Sequence, residues 1–187
     1  METEEREDYA YILDFLVHGV STKDKRAPSG PVAYGVGETR FKLFELIPKS
    51  KISLTAGERI YIGSSVELRK EILQVRRRIR YVQLTNAAQN ELPFIIATIV
   101  KNNEERFVKF FNEAQAISIR YHMLELLPGL GKKTMIDIIE DRKKGRFKSF
   151  EDISKRINIS NPEKFIIKRI QLEIMEPHQK YHLFVAK

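Results

Sequence analysis

The chain of 187 residues contains no cysteine and no tryptophan. Without cysteine it has no disulfides and no thiolate metal ligands, which excludes zinc-finger and thiol redox chemistry. Histidine is scarce too: His18, His122, His178 and His182 show no metal-ligand spacing with carboxylates, and the close pair His178 and His182 lies near the end of the chain. There is no long hydrophobic run; the stretch 94–100 is too short to span a bilayer. The opening Met-Glu-Thr-Glu-Glu-Arg-Glu-Asp lacks the apolar core of a secretory signal, so a cytoplasmic protein without membrane contact is expected. Neither a phosphate loop of the form Gly-x-x-x-x-Gly-Lys-Ser/Thr nor a Gly-x-Ser-x-Gly nucleophile elbow is found. Asp137, Glu140 and Asp141 are near neighbours and suggest a two-metal nuclease site, but acids on the exposed face of an amphipathic helix are far commoner. The expectation is a non-catalytic chain with no cofactor.

What is present is a folding composition, 42% hydrophobic and 31% charged, with a net charge of +8. The charge is uneven. Residues 1–62 carry 9 basic and 10 acidic side chains, residues 63–117 carry 9 and 6, and residues 118–187 carry 15 and 9. A surplus of positive charge in the last third is the footprint of a polyanion-binding module, or of a merely solvated face.

Within that basic third stands Leu126-Leu127-Pro128-Gly129-Leu130-Gly131-Lys132-Lys133-Thr134. Ile119, Met123, Leu124 and Leu127 upstream, and Met135, Ile138 and Ile139 downstream, have the three-to-four spacing of a helix face. Two helices joined by so short a link must lie close together. The glycines can adopt backbone angles closed to other residues and let an anion approach the chain. The first amides of the second helix lack intrahelical acceptors and carry the positive end of its dipole. Lys132 and Lys133 add full charges there, while Leu130 is expected to point inward. The competing reading is a plain tight turn.

Ahead of this hairpin, residues 9–17, 31–36, 40–47 and 59–62 read as short β-strands punctuated by glycine, which suggests a small barrel, OB-like in preference to SH3-like. Tyr9, Tyr11, Phe41, Phe44 and Tyr61 are either stacking platforms for bases or barrel core. A long loop at 18–31 carries Lys23, Lys25 and Arg26. Residues 65–74 are expected to form a short helix capped by Ser65, with Leu68, Ile72 and Val75 on one face. Next comes Arg76-Arg77-Arg78-Ile79-Arg80, a dense cationic strip in which Arg78 and Arg80 share one strand face. It either contacts nucleic acid, since guanidinium bridges phosphate oxygens and stacks on bases, or guards an edge strand against pairing. Thr85 is expected to cap a helix to about residue 101 that contains Pro93, and Asn102 the helix after it. Ser149 has capping spacing to Asp152, and Ser160-Asn161-Pro162-Glu163 opens a last helix carrying Phe165, Ile166, Ile167 and Ile170. A short strand or docked tail at 181–185 closes the chain. The expected fold is α+β: a barrel over 1–83, a helical connector over 84–115 and an all-helical domain over 116–187.

The hairpin, followed by Gly145-Arg146-Phe147 and Ser149-Phe150-Glu151-Asp152-Ile153, resembles the tandem helix-hairpin-helix modules of DNA-uptake and excision-repair proteins. The resemblance implies that Pro128, Gly129, Leu130, Gly131, Lys132, Lys133 and Thr134 hold consecutive phosphates. It also implies that the carbonyls of Glu125, Leu127 and Leu130 hold a monovalent cation. The second repeat departs from the pattern, with Asn158-Ile159-Ser160-Asn161-Pro162 in place of a Gly-x-Gly hairpin, and is expected only to support the fold. Through Gly57-Glu58-Arg59-Ile60-Tyr61-Ile62-Gly63, Arg77-Arg78-Ile79-Arg80-Tyr81, Asn103 to Asn112 and Leu124-Glu125-Leu126-Leu127-Pro128-Gly129, the whole chain resembles an archaeal family of unknown function. That family pairs an OB-like region with such a module. It implies RNA more than DNA, and protein partners in transcription or ribosome biogenesis. The functional expectation is therefore a nucleic-acid binder that grips the backbone through the hairpin, with Arg76, Arg77, Arg78 and Arg80 as a second contact. A protein–protein adaptor is the alternative, and a metal-dependent nuclease the third reading.

Overall fold

A computed structural model describes residues 6–19 and 30–186. Lys23, Lys25 and Arg26 of the expected basic loop lie outside the described residues. Two compact units are formed, one from Met1–Ile95 with Glu173–Lys187 and the other from Ile96–Leu172. These cuts differ from the expected 1–83, 84–115 and 116–187: both fall inside helices, and residues 173–187 belong with the first unit.

In the first unit, β1 (Tyr9–Leu16), β2 (Val32–Gly37), β3 (Leu43–Pro48), β4 (Arg59–Tyr61) and β5 (Ile72–Ile79) form one antiparallel sheet, ordered β4-β1-β2-β3-β5. A bulge between Ile12 and Asp14 of β1 and register shifts along β3 and β5 curl it into a half-barrel. Its concave core gathers Ala10, Ile12, Ala33, Leu46, Ile60 and Ile72. Each large aliphatic side chain wholly removed from water there contributes about 1.5–3 kcal/mol.

The helix expected over 65–74 does not form. Val66–Leu68 makes a single 3-10 turn, Ser65 makes no side-chain cap bond, and the chain then enters β5. Pairing of β5 with β3 outweighs a weak helical spacing, because Ile72 and Val75 fit a pleated ladder equally well.

Two buried carboxylates tie loops to the sheet unit. Glu7 accepts the amides of Thr39 at 2.8 Å and Arg40 at 2.6 Å; burial raises its pKa, and these bonds pull in the opposite direction. Glu173 accepts three amides in a row, Leu183 at 2.7 Å, Phe184 at 3.0 Å and Val185 at 2.9 Å. The amide of Ala186 donates to the Arg40 carbonyl at 3.1 Å. The end of the chain is thus a docked tail and not a strand.

Helix α1 (Asn86–Asn102) begins where expected, with Thr85 Oγ1 accepting from the Ala88 amide at 3.0 Å, and it continues through Pro93. In the second unit, α2 (Glu104–Glu113) follows directly. Its N-cap is Asn103, not Asn102, and the Asn103 side chain donates to the Ile99 carbonyl instead of capping. Then come a small hairpin of β6 (Ala116–Ser118) and β7 (Tyr121–His122), a 3-10 turn at Met123–Leu126, α3 (Lys132–Asp141), α4 (Phe150–Ile157) and α5 (Glu163–Met175). Buried Leu124, Leu127, Ile138, Phe147, Ile153, Ile166 and Ile170 belong to this unit's core.

The helix expected over 119–127 is corrected to that hairpin and one 3-10 turn. Ile119 is fully exposed at the hairpin tip. A reciprocal cap fixes the start of the turn: His122 Nδ1 accepts from the Leu124 amide at 3.1 Å, and the Glu125 carboxylate accepts from the His122 amide at 2.8 Å. Burial first, and the Arg142 charge second, lower the His122 pKa, which suits a ring that must accept a hydrogen bond. The spacing of Ile119, Met123 and Leu127 is helical only by coincidence.

Candidate nucleic-acid interface

The hairpin is closed by two tight bonds, from the Leu127 amide to the Leu124 carbonyl and from the Leu130 amide to the Leu127 carbonyl, both 3.1 Å. Pro128 is half-buried, Gly129 and Gly131 are exposed, and Leu130 is buried, as its inward placement required. Gly129 has φ +89°, a left-handed value that a side chain would strain. Gly131 is different. As the N-cap of α3 it has φ −76° and ψ 161°, which any residue adopts, and a Cβ there would have nothing within 4 Å.

Gly131 has no side chain to cap α3, so the amides of Lys132, Lys133 and Thr134 precede the first intrahelical bond, from the Met135 amide to the Gly131 carbonyl at 2.9 Å. Lys132 and Lys133 are exposed and Thr134 half-buried. An uncapped helix start, two lysines and open space over Gly131 therefore coincide. In the second repeat, Asn158 (φ 57°) and Asn161 (φ 52°) take left-handed angles in place of glycine. Its helix opens behind buried Pro162, which has no amide hydrogen to offer.

The arginine strip is not presented as one surface. A register shift between Glu45 and Leu46 of β3 places Arg76 at a bulge between Val75 and Arg77, and Arg76 and Arg77 both reach the Glu45 carboxylate. Arg77 Nη2 lies 2.9 Å from Glu45 Oε2. Arg78 donates to the Ala186 carbonyl at 2.5 Å. Arg80 lies beyond the strand end, exposed, at the start of a 3-10 turn over Tyr81–Gln83. Of the aromatic residues considered for stacking, Tyr11 and Phe41 are buried and Phe44 packs on the core. Tyr9 and Tyr61 meet edge to face at 5.3 Å, with the Arg59 guanidinium 3.6 Å from the centre of the Tyr9 ring.

With this geometry in hand, comparison with known proteins is decisive about kinship. The pattern of a family described as a protein of unknown function, DUF655, matches residues 6–186. The chain belongs to the DUF655 family. An uncharacterised relative from Methanocaldococcus jannaschii is 45% identical over 180 residues, 96% of this chain and 80% of that one. A crystal structure of a DUF655 protein from Archaeoglobus fulgidus has a TM-score of 0.86 at 45% identity, covering 96% of this chain and all of the other. The recognised relatives are archaeal, and the fold of half-barrel and helices is shared with that crystal structure.

Of the three acids considered for metal chemistry, Glu140 and Asp141 are engaged elsewhere. Glu140 pairs with Lys143 at 2.7 Å. Asp141 pairs with Lys144 at 3.0 Å and with Arg156 at 2.6 Å, and Lys144 first and Arg156 second hold its carboxyl below the ordinary carboxylate range. Arg156 also donates to the carbonyls of Asp141 and Gly145 and lies over the Phe147 ring, so it fastens the end of α3 to α4. Among the described residues no three His, Asp or Glu side chains cluster as metal ligands. None of the described helices is long and apolar enough to cross a membrane.

Part of the loop expected to hold a monovalent cation is engaged in hydrogen bonds within the chain. The Leu127 carbonyl already accepts from Leu130, and the Leu126 carbonyl, between the expected ligands Glu125 and Leu127, accepts from Arg169 Nη1 at 3.2 Å. Arg169 is 3% exposed, so its guanidinium is buried beside these carbonyls. Arg169 and Glu173 escaped the sequence reading, although both fall on the buried stripe of α5 with Ile166 and Ile170. A charge on such a stripe is the signal that marks a buried partner.

Proposed function

We propose that the protein is a non-catalytic nucleic-acid binder whose hairpin grips the sugar-phosphate backbone, with RNA favoured over DNA by the family resemblance. The observation that carries this reading is Gly131. Neither its backbone angles nor its surroundings call for glycine, yet a capping side chain there would take up one of the uncapped amides beside Lys132 and Lys133. A phosphate oxygen suits those amides and that charge. Backbone contact of this kind gives low sequence preference and steep salt dependence.

The curled sheet supports an OB-like reading. β1 pairs with both β2 and β4, β5 lies beside β3, and closing β4 towards β5 would complete a five-stranded barrel. The adaptor reading has its own support in the second unit, where Ile119 and Ile136 are exposed apolar side chains.

The test is binding of duplex, hairpin and single-stranded RNA and DNA by fluorescence anisotropy. Replacing Lys132 and Lys133 together by alanine should weaken binding at least tenfold at low salt and reduce the slope of log K against log salt by about 2. Unchanged affinity for every ligand would refute the hairpin as the contact and leave the adaptor reading.

A further inference from the structure

Within the first unit, a cleft of about 800 Å³ opens between the start of β3, the end of β5 with its 3-10 turn, and the last residues of α5 with the segment that follows. Its floor is apolar, made by Leu43, Ile79 and Ile174, while Arg78, Arg80 and Tyr81 stand along one side. Val82, beside Tyr81 on the lip, is 72% exposed. Among the charged lining residues, Lys42, Arg78 and Arg80 are basic and Glu173 alone is acidic. The Glu173 carboxylate is turned to the three tail amides, so the cleft presents cationic and apolar character together.

These features select the occupant. Pockets of about 300–1,000 Å³ take a single small molecule or one unit of a polymer. An apolar floor with a phenol ring beside it suits a flat, weakly polar ring system. Arginines at the edge suit an anion attached to that ring, because guanidinium meets phosphate through two parallel hydrogen bonds. A nucleotide combines both properties. An acidic peptide would satisfy the arginines but leave the apolar floor without a planar group.

We propose that this cleft receives one unpaired nucleotide of a single-stranded nucleic acid, the base against Leu43, Ile79 and Tyr81 and its phosphate at Arg80 and Arg78. The proposal deepens the nucleic-acid reading above and rests on it. It also reassigns the arginine run. Arg76 and Arg77 hold Glu45 and serve the sheet, whereas Arg78 and Arg80 face the cleft. The hairpin grips backbone of either strandedness, and the cleft distinguishes an unpaired nucleotide from a paired one, since a base stacked and paired within a duplex cannot enter a pocket.

Titration of the full chain with uridine and adenosine monophosphates, followed by backbone amide NMR, tests the cleft directly. Shifts are expected at residues 79–82 and 175–179. In anisotropy measurements with an eight-nucleotide single-stranded RNA and a duplex of equal length, Tyr81→Ala and Arg80→Ala should each weaken the single strand about tenfold, the usual size of a lost base stack, and leave the duplex unchanged. Arg80 is exposed beyond the strand, so its variant retains the fold and the test stands even where Tyr81→Ala disturbs the 3-10 turn. Millimolar mononucleotide that moves no cleft amide, or Arg80→Ala binding single strands as wild type does, overturns the proposal. So does an acidic peptide that shifts the cleft amides while mononucleotides do not. Failure of the hairpin reading would register separately, as unchanged duplex binding by the Lys132 and Lys133 double variant.

Discussion

Gly129 and Gly131 stand two residues apart and do different work. Gly129 answers to the chain itself, with φ +89°, and Gly129→Ala should cost about 1 kcal/mol or more by strain. Gly131 answers to nothing inside the protein. A serine there would cap the first turn of α3, so Gly131→Ser should stabilise the fold by a few tenths of a kcal/mol while its hydroxyl takes up an amide otherwise open to phosphate. Denaturant unfolding paired with duplex binding measures both effects. A variant that is more stable and binds several-fold more weakly supports the hairpin contact; one that binds as well as wild type removes the reason given for the glycine. Arg169 belongs to the same scale, a single buried guanidinium that donates to the Leu126 carbonyl in the stretch where a bound cation was expected.

Between β3 and β5 the electrostatics of the element pair can be read by titration. Burial would raise the Glu45 pKa, but the hydrogen bonds from Arg77 and Arg76 and their charges outweigh it and hold the carboxyl below its ordinary value of 4.5. A depressed folded pKa gives stability that is present in full above 4.5 and lost as pH falls through the lower folded value. The destabilisation caused by Glu45→Gln should therefore be greatest at neutral pH and shrink in acid. Denaturant midpoints between pH 7 and pH 3 measure this, and a pH-independent difference would contradict the assignment. Elements set by local bonds were legible in advance. Thr85 and Ser149 cap α1 and α4 where their spacing indicated, and Leu130 turns inward between its glycines. Elements decided by distant partners were not. The arginine run was read as a strand, but the start of β5 at Ile72 depends on β3, and no pattern within 65–80 announces the shifted register that sends Arg76 and Arg77 to Glu45. The hairpin at 116–122 was hidden by apolar residues that happened to fall at helical intervals. At the candidate site the glycines and lysines could be read directly, whereas the cleft could not, because residues 78–82 and 173–186 meet only in the folded chain.

At the scale of the molecule, the first unit is made from both ends of the sequence and the second from its middle. The link is Glu173, 1% exposed, whose carboxylate holds the amides of residues 183–185. A chain cut after Glu176 would leave that carboxylate buried without those amides, at about 1–3 kcal/mol or more. Hydrogen exchange should then show β1–β5 losing protection while α3 and α4 keep theirs. Equal loss in both units would argue against this division.

This arrangement also bears on the order in which the protein takes shape during synthesis. Chains assembled from successive domains tend to fold from the N-terminus as each domain emerges. Here residues 96–172 are contiguous, whereas the sheet unit also draws on residues 173–186, which are translated after them. Strands β1–β5 thus emerge ahead of the second unit and are finished after it, one docked segment short until residues 183–186 have been made.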